Sequence, residues 1–215
     1  MPSLKTDDLI RALAEDGTVG SPSLAGRLAI ALVAGGAVAT VLFALVLGVR
    51  PDIASALQTW RFVLKVAFAL ICCMFALWAC ARLTRPEVGL RDTLVGLSVA
   101  PVLLAAAVAV ELLALSPADW YARAVGTNAR VCMVAIPVLS LAPLATVLAA
   151  LRAGAPRSPL IAGAVAGLFC GALAATLYAV HCPDDSPLFV AVWYSLAVGI
   201  VMLAGALAGS RVLRW

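Results

Sequence analysis

The sequence predicts an all-α membrane protein, a six-transmembrane-helix bundle with a short cytoplasmic N-terminal amphipathic helix. Of its 215 residues, 64% are hydrophobic and 12% are charged, and the mean hydropathy is +1.09. A chain of this composition has too little polar surface to cover a water-soluble globule of its size. In addition, six apolar stretches reach the length of about 20 residues that a helix needs to cross the hydrocarbon core.

The six apolar stretches are evenly distributed behind a more polar N-terminus. They fall at roughly 28–49, 62–81, 93–115, 131–151, 160–180 and 188–209. The first begins too late and runs too long for a cleavable secretory signal, so we expect it to remain as the first span. We therefore predict a cytoplasmic tail over residues 1–27 and a six-span membrane domain over residues 28–215.

Lysine and arginine residues set the orientation, because positively charged flanks are retained in the cytoplasm. Ten of them lie in the two termini and in the second and fourth loops. The five on the other side are Arg50, Arg61, Lys65, Arg123 and Arg130. This asymmetry predicts that both termini are cytoplasmic. Topology and anionic lipid then account for the formal charge of +4, so no direct nucleic-acid partner is needed.

The tail contains one predicted helix, at about residues 7–16. Asp7 and Asp8 place negative charge at the positive end of its dipole, and Gly17 can end it. Its polar residues lie away from an apolar face.

That apolar face consists of Leu9, Ile10 and Leu13. An amphipathic helix of this kind fits the groove of a partner protein. A solubilising tail, or a helix lying on the bilayer, would have the same pattern.

The fifth span contains glycines four residues apart, at Gly163, Gly167 and Gly171. A ridge of small residues lets membrane helices approach closely. We therefore expect the fifth span to be central to the bundle.

The predicted topology divides the six cysteines into two groups. Four lie within spans or near a cytoplasmic end and are expected to be small buried hydrophobic residues: Cys72, Cys73, Cys80 and Cys170. Cys132 and Cys182 face the outer, oxidising side. Two thiols there can form a disulfide or bind a soft metal.

Most of the other candidate ligands are close to Cys182 in the segment "AVHCPDDSPLFVAVWY" before the last span. His181 is the only histidine in the chain. Glu111, near the outward end of the third span, is a lone acid in a membrane helix and a functional candidate by default. The outward face thus gathers Glu111, Cys132, His181, Cys182, Asp184 and Asp185.

Cysteine, histidine and carboxylate ligands suit zinc or a softer metal such as cadmium, but their spacing here matches no standard zinc finger. No cofactor is certain. The sequence allows a transient metal ion at Cys132, His181 and Cys182, or a role for His181, Asp184 and Asp185 in tuning the thiol.

The segments "LKTDDLIRALA" and "HCPDDSPLFVAVWY", together with six spans, resemble the NrsF family of bacterial inner-membrane anti-sigma factors. The resemblance implies that the N-terminal region holds an extracytoplasmic-function (ECF) sigma factor at the membrane. It also implies that two outward cysteines sense metal or oxidative stress. The matching residues are Asp7, Asp8, Leu9 and Ile10 for the docking motif, and Cys132 and Cys182 for the cysteines.

We therefore predict a regulator without enzymatic activity that sequesters a sigma factor and releases it on a periplasmic thiol, metal or oxidative signal. One alternative is a small ion or metal transporter in which Glu111 is the coupling residue. The second alternative is a membrane thiol oxidoreductase, although the chain lacks the CxxC motif of many exchange catalysts.

Overall fold

The computed structural model describes Ile10 and residues 23–83, 90–154 and 156–214. The regular structure in these ranges is helical, which confirms the predicted all-α class. The helices are α1 (Leu24–Val46), α2 (Ile53–Ala56), α3 (Trp60–Leu83), α4 (Leu90–Ala114), α5 (Pro117–Val125), α6 (Ala129–Leu151), α7 (Pro159–Ala179) and α8 (Pro187–Val212).

Six of these helices are long and apolar enough to cross a membrane, namely α1, α3, α4, α6, α7 and α8. This confirms the predicted number of spans in a multi-pass membrane protein. The first begins at Leu24 rather than at residue 28, because Ser23 caps it by accepting a hydrogen bond from the Gly26 amide at 3.2 Å. It ends at Val46, and the chain leaves it through Gly48, which has a φ of 70°.

α7 is the central helix, as its glycine spacing predicts. It packs against α3, α6 and α8. A Cβ atom at Gly163 would lie 2.8 Å from the Cα of Gly209, and one at Gly167 would lie 2.8 Å from the Cα of Met202. Because both obstacles are backbone atoms of α8, only glycine permits this close approach.

The core is divided into two buried clusters along the bundle. One contains Leu28 near the start of α1 and Leu213 just after α8, so the start of α1 and the end of α8 belong to the same end of the bundle. We call this the terminal end. The other cluster contains Cys132 and Cys182, and we call its side of the bundle the turn end.

Short helices cover part of the turn end. The segment of α5 was predicted to be part of a loop, but it forms an amphipathic helix that exposes Trp120 and Tyr121. Trp193 fixes this helix to α8 by donating an indole N–H to the Ala124 carbonyl at 2.9 Å. Tryptophan and tyrosine are typical of the membrane interface, so α5 is suited to lie at that level.

The predicted docking helix lies outside the described residues except for Ile10. Ile10 is helical and its side chain is 59% exposed. The roles assigned to Asp7, Asp8, Leu9 and Leu13 therefore stay predictions.

Candidate functional site

The six outward candidates predicted from sequence meet at the turn end of the bundle. Glu111 is near the end of α4, Cys132 lies in the first turn of α6, and the others belong to the connection between α7 and α8. We call this connection, residues 180–186, the 180–186 turn. It begins where the amides of His181 and Cys182 both donate to the Tyr178 carbonyl at 3.0 Å, and it ends where Ser186 accepts the Leu188 amide at 3.3 Å.

Cys132 and Cys182 are both fully buried and belong to the same cluster. Aromatic rings of Tyr178, Phe189 and Tyr194 line this cluster, with the two tyrosine rings 5.8 Å apart. All six cysteines of the chain are free thiols in the structure. Burial raises the pKa of the Cys182 thiol, so the thiolate that reacts with metals and oxidants is disfavoured while this side chain stays buried.

Two cations from other parts of the chain hold the 180–186 turn. Lys65 of α3 donates from Nζ to the Cys182 carbonyl at 2.7 Å and to Asp185 Oδ1 at 2.5 Å. Arg50 donates from one guanidinium nitrogen to the same carbonyl at 3.2 Å and to Asp185 Oδ2 at 2.9 Å. The Lys65 side chain is fully buried and that of Arg50 is 8% exposed, so these are largely desolvated ion pairs. Removing one member of such a pair leaves an uncompensated buried charge and destabilises the folded protein.

Arg50 also binds Asp52 in a bidentate pair, with N···O distances of 2.7 and 2.6 Å. The hydrogen bonds to Arg50 lower the pKa of Asp52 below its usual range, and the same contacts raise the pKa of Arg50. In addition, the Arg50 amide donates to the Val180 carbonyl at 3.1 Å. The loop after α1 is therefore joined to the 180–186 turn by both backbone and side chain.

Asp184 binds the backbone immediately before α6. Its Oδ2 accepts the backbone amides of Thr127 at 3.0 Å and Asn128 at 2.8 Å, where a carboxylate complements the helix dipole. Gly126, with a φ of 59°, makes this approach possible, since a Cβ there would lie 2.8 Å from Asp184 Cγ. Asp184 thus ties the turn to the helix that carries Cys132.

Glu111 is fully buried and forms an ion pair with Arg61, whose Nε lies 3.1 and 3.0 Å from the two carboxylate oxygens. The hydroxyl of Ser186 also donates to Glu111 at 3.4 Å. Because its charge is already balanced, the geometry does not favour Glu111 as the coupling residue of a transporter.

His181 faces the loop after α1, where its Nδ1 lies 3.0 Å from the Gly48 carbonyl, and its ring packs 5.8 Å from that of Tyr178. Among the described residues, no three or more histidine, cysteine, aspartate or glutamate side chains are arranged to hold a metal ion. The transient metal site considered for Cys132, His181 and Cys182 is therefore not preformed.

A solvent-facing cavity of about 570 Å³ lies between α5 and the 180–186 turn. Tyr121 and Arg123 line it on one side, and Asp184 and Asp185 line it on the other. Neither buried thiol lines this cavity, although Pro183, which follows Cys182 in the chain, does.

The sequence prediction missed the cations of this site, Arg50, Arg61 and Lys65. It counted them only as charges that set topology, whereas the structure uses all three in ion pairs. One signal was present, since Lys65 lies within the apolar run of the second span, where a lysine is costly unless paired.

Known proteins resemble this chain over almost its whole length. The family model described as "Negative regulator of sigma F" matches residues 13–215. The chain belongs to the NrsF family. The description of this family gives it a regulatory role rather than a catalytic one.

Two relatives match from end to end. "Probable anti-sigma-F factor NrsF" of Azospira oryzae is 36% identical over 213 residues, which cover 99% of this chain and 100% of the relative. "Anti-sigma-F factor NrsF" of Caulobacter vibrioides is 39% identical over 217 residues, with the same coverage of each chain. No solved structure matches this chain.

Proposed function

We propose that this protein is a membrane-bound anti-sigma factor that holds an ECF sigma factor through its N-terminal helix and releases it on a periplasmic thiol, metal or oxidative signal. The observation that carries the proposal is its full-length similarity to two proteins named as anti-sigma-F factors. The burial of Cys132 and Cys182 in one cluster at the turn end supports the sensing part of the proposal.

The docking element is the helix over residues 7–16, with Leu9, Ile10 and Leu13 against the sigma factor. A helix of about ten residues is marginal alone in water, so it gains order on its partner. The exposed side chain of Ile10 suits such a contact.

The protein lies in the bacterial inner membrane with both termini in the cytoplasm. The excess of lysine and arginine on the side of the termini supports this orientation. The turn end, with its two outward thiols, then faces the periplasm.

The signal is a reaction that involves Cys132 and Cys182 together. Oxidation would join the two sulfurs, pass two electrons to the oxidant and release two protons. A soft metal would instead displace both thiol protons. Either product must favour a bundle conformation with lower sigma affinity, and coupling of about 1–3 kcal/mol would change that affinity roughly 5–150-fold.

Co-purification of the sigma factor with membranes tests the docking site. Asp8→Arg reverses a charge at the helix N-terminus and Leu9→Asp places a carboxylate in the apolar face, so each should release the sigma factor while membrane insertion is unchanged. Glu15→Ala, on the opposite face, is the matched control and should retain it. If Leu9→Asp membranes retained as much sigma factor as wild type, another part of the protein would be the main docking site.

A further inference from the structure

The contacts of Lys65 are unusual for a buried charge. Its ammonium group reaches from α3 to three acceptors, and all three belong to the 180–186 turn: the Cys182 carbonyl, the Asp184 carbonyl and the Asp185 carboxylate. An ion pair alone would require only Asp185. Because one acceptor is the carbonyl of Cys182 itself, the backbone position of the buried thiol depends directly on Lys65.

We infer that Lys65 is the positioning residue of the thiol sensor: it holds the 180–186 turn in the arrangement that buries the Cys182 side chain and so keeps the thiol unreactive until its contacts break. This inference rests on the proposed sensing role. The cavity beside α5 is lined by Asp184 and Asp185 of the turn, and Lys65 donates to both of these residues.

Arg50 helps to hold the turn in the same arrangement, since it donates to two of the acceptors of Lys65, the Cys182 carbonyl and the Asp185 carboxylate. Arg50 is also held by Asp52, outside the turn. The side chain of Lys65 makes its hydrogen bonds to described residues within the turn, which makes it the better residue to test.

A purely electrostatic role for Lys65 predicts the opposite result. Burial raises the pKa of Cys182, and the positive charge of Lys65 partly offsets this by lowering it. Removal of that charge would therefore reduce the thiolate fraction and slow the alkylation of Cys182. Other groups that act on this thiol come from several elements: Cys132 of α6, Tyr178 of α7, Tyr194 of α8 and Asp184 of the turn. The pH profile of the reaction separates the two roles.

The experiment measures the rate at which a membrane-impermeant alkylating reagent modifies Cys182 in the purified full-length protein, by mass spectrometry of the Cys182 peptide. Lys65→Met should raise the rate at least about tenfold across the whole pH range, a change equivalent to about 1.4 kcal/mol. Lys65→Arg, which keeps the charge and the donors, should react at close to the wild-type rate.

Matched controls come from the same protein. Arg130→Met removes an exposed cation at the turn end and should leave the rate unchanged. Cys170, fully buried within α7, should stay unmodified in every variant, which shows that the bundle is intact. Asp185→Asn removes the negative charge that Lys65 binds and should also accelerate the reaction. It serves as the test if Lys65→Met fails to fold.

An unchanged or slower rate in Lys65→Met and Asp185→Asn, with Cys170 protected, would overturn the inference. The assay contains no sigma factor, so its outcome is independent of the proposed function. Faster alkylation without any effect on sigma release would support the role of Lys65 in positioning and count against the sensor.

Discussion

A single methyl group at Gly163 should separate α7 from α8. The Cβ of Gly163→Ala would lie 2.8 Å from the Cα of Gly209 and closer still to the carbonyl oxygen of Gly205. Reaching an ordinary contact distance of 3.4 Å requires the two helices to move apart by at least about 0.6 Å. Since both obstacles are backbone, no side chain can rotate away, and overpacking of this kind costs about 1–3 kcal/mol.

Gly199→Ala is the matched control, because it adds the same methyl group to α8 at a position with nothing within 4 Å. Alanine is the better helix former by up to about 1 kcal/mol, so this variant should be neutral or more stable. Chemical unfolding in detergent, followed by circular dichroism, measures both. Equal stability of Gly163→Ala and Gly199→Ala would refute the account of α7 and α8 packing.

Two further predictions concern the turn end. Arg61→Ala should destabilise the protein by about 3–5 kcal/mol because it leaves the buried Glu111 unpaired, while Arg61→Ala combined with Glu111→Gln should recover much of that loss in the same unfolding assay. Additive losses would show that the pair is not coupled. Burial raises the pKa of Cys182, so its alkylation should continue to accelerate with pH beyond the usual titration range of a free thiol. In that pH range the Cys182 thiol ionises at lower pH in the unfolded protein than in the folded protein, so the folded state should become less stable as pH rises. An alkylation rate that levels off at the usual thiol pKa would contradict the prediction of a raised pKa.

The spans could be predicted because the signal is local. A run of about 20 apolar residues is sufficient to identify each membrane helix, and the spacing of Gly163, Gly167 and Gly171 indicates which face packs closely. Boundaries were less accurate, since α1 begins four residues early at a cap formed by Ser23. A serine in a polar tail has many other possible roles.

The candidate site was only partly predictable. Topology alone brings Cys132 and Cys182 to one end of the bundle, and the structure places both in one buried cluster. The partners of the turn could not be predicted, because Lys65 lies 120 residues from Asp185 in the chain and no local sequence pattern links them. The same limit applies to the two acids: Asp184 and Asp185 are adjacent in sequence, but Asp184 binds the backbone before α6 and Asp185 binds Lys65 of α3.

The most direct test of the central claim is the amount of sigma factor that stays on membranes after an impermeant thiol oxidant reaches the periplasmic face. Wild type should release it, while Cys132→Ser, Cys182→Ser and the double variant should all retain it to the same extent, because one event requires both sulfurs. Cys72→Ser, Cys80→Ala and Cys170→Ala should respond like wild type. A double variant that binds sigma factor normally and still releases it on oxidation would contradict the account, because the signal would then enter elsewhere.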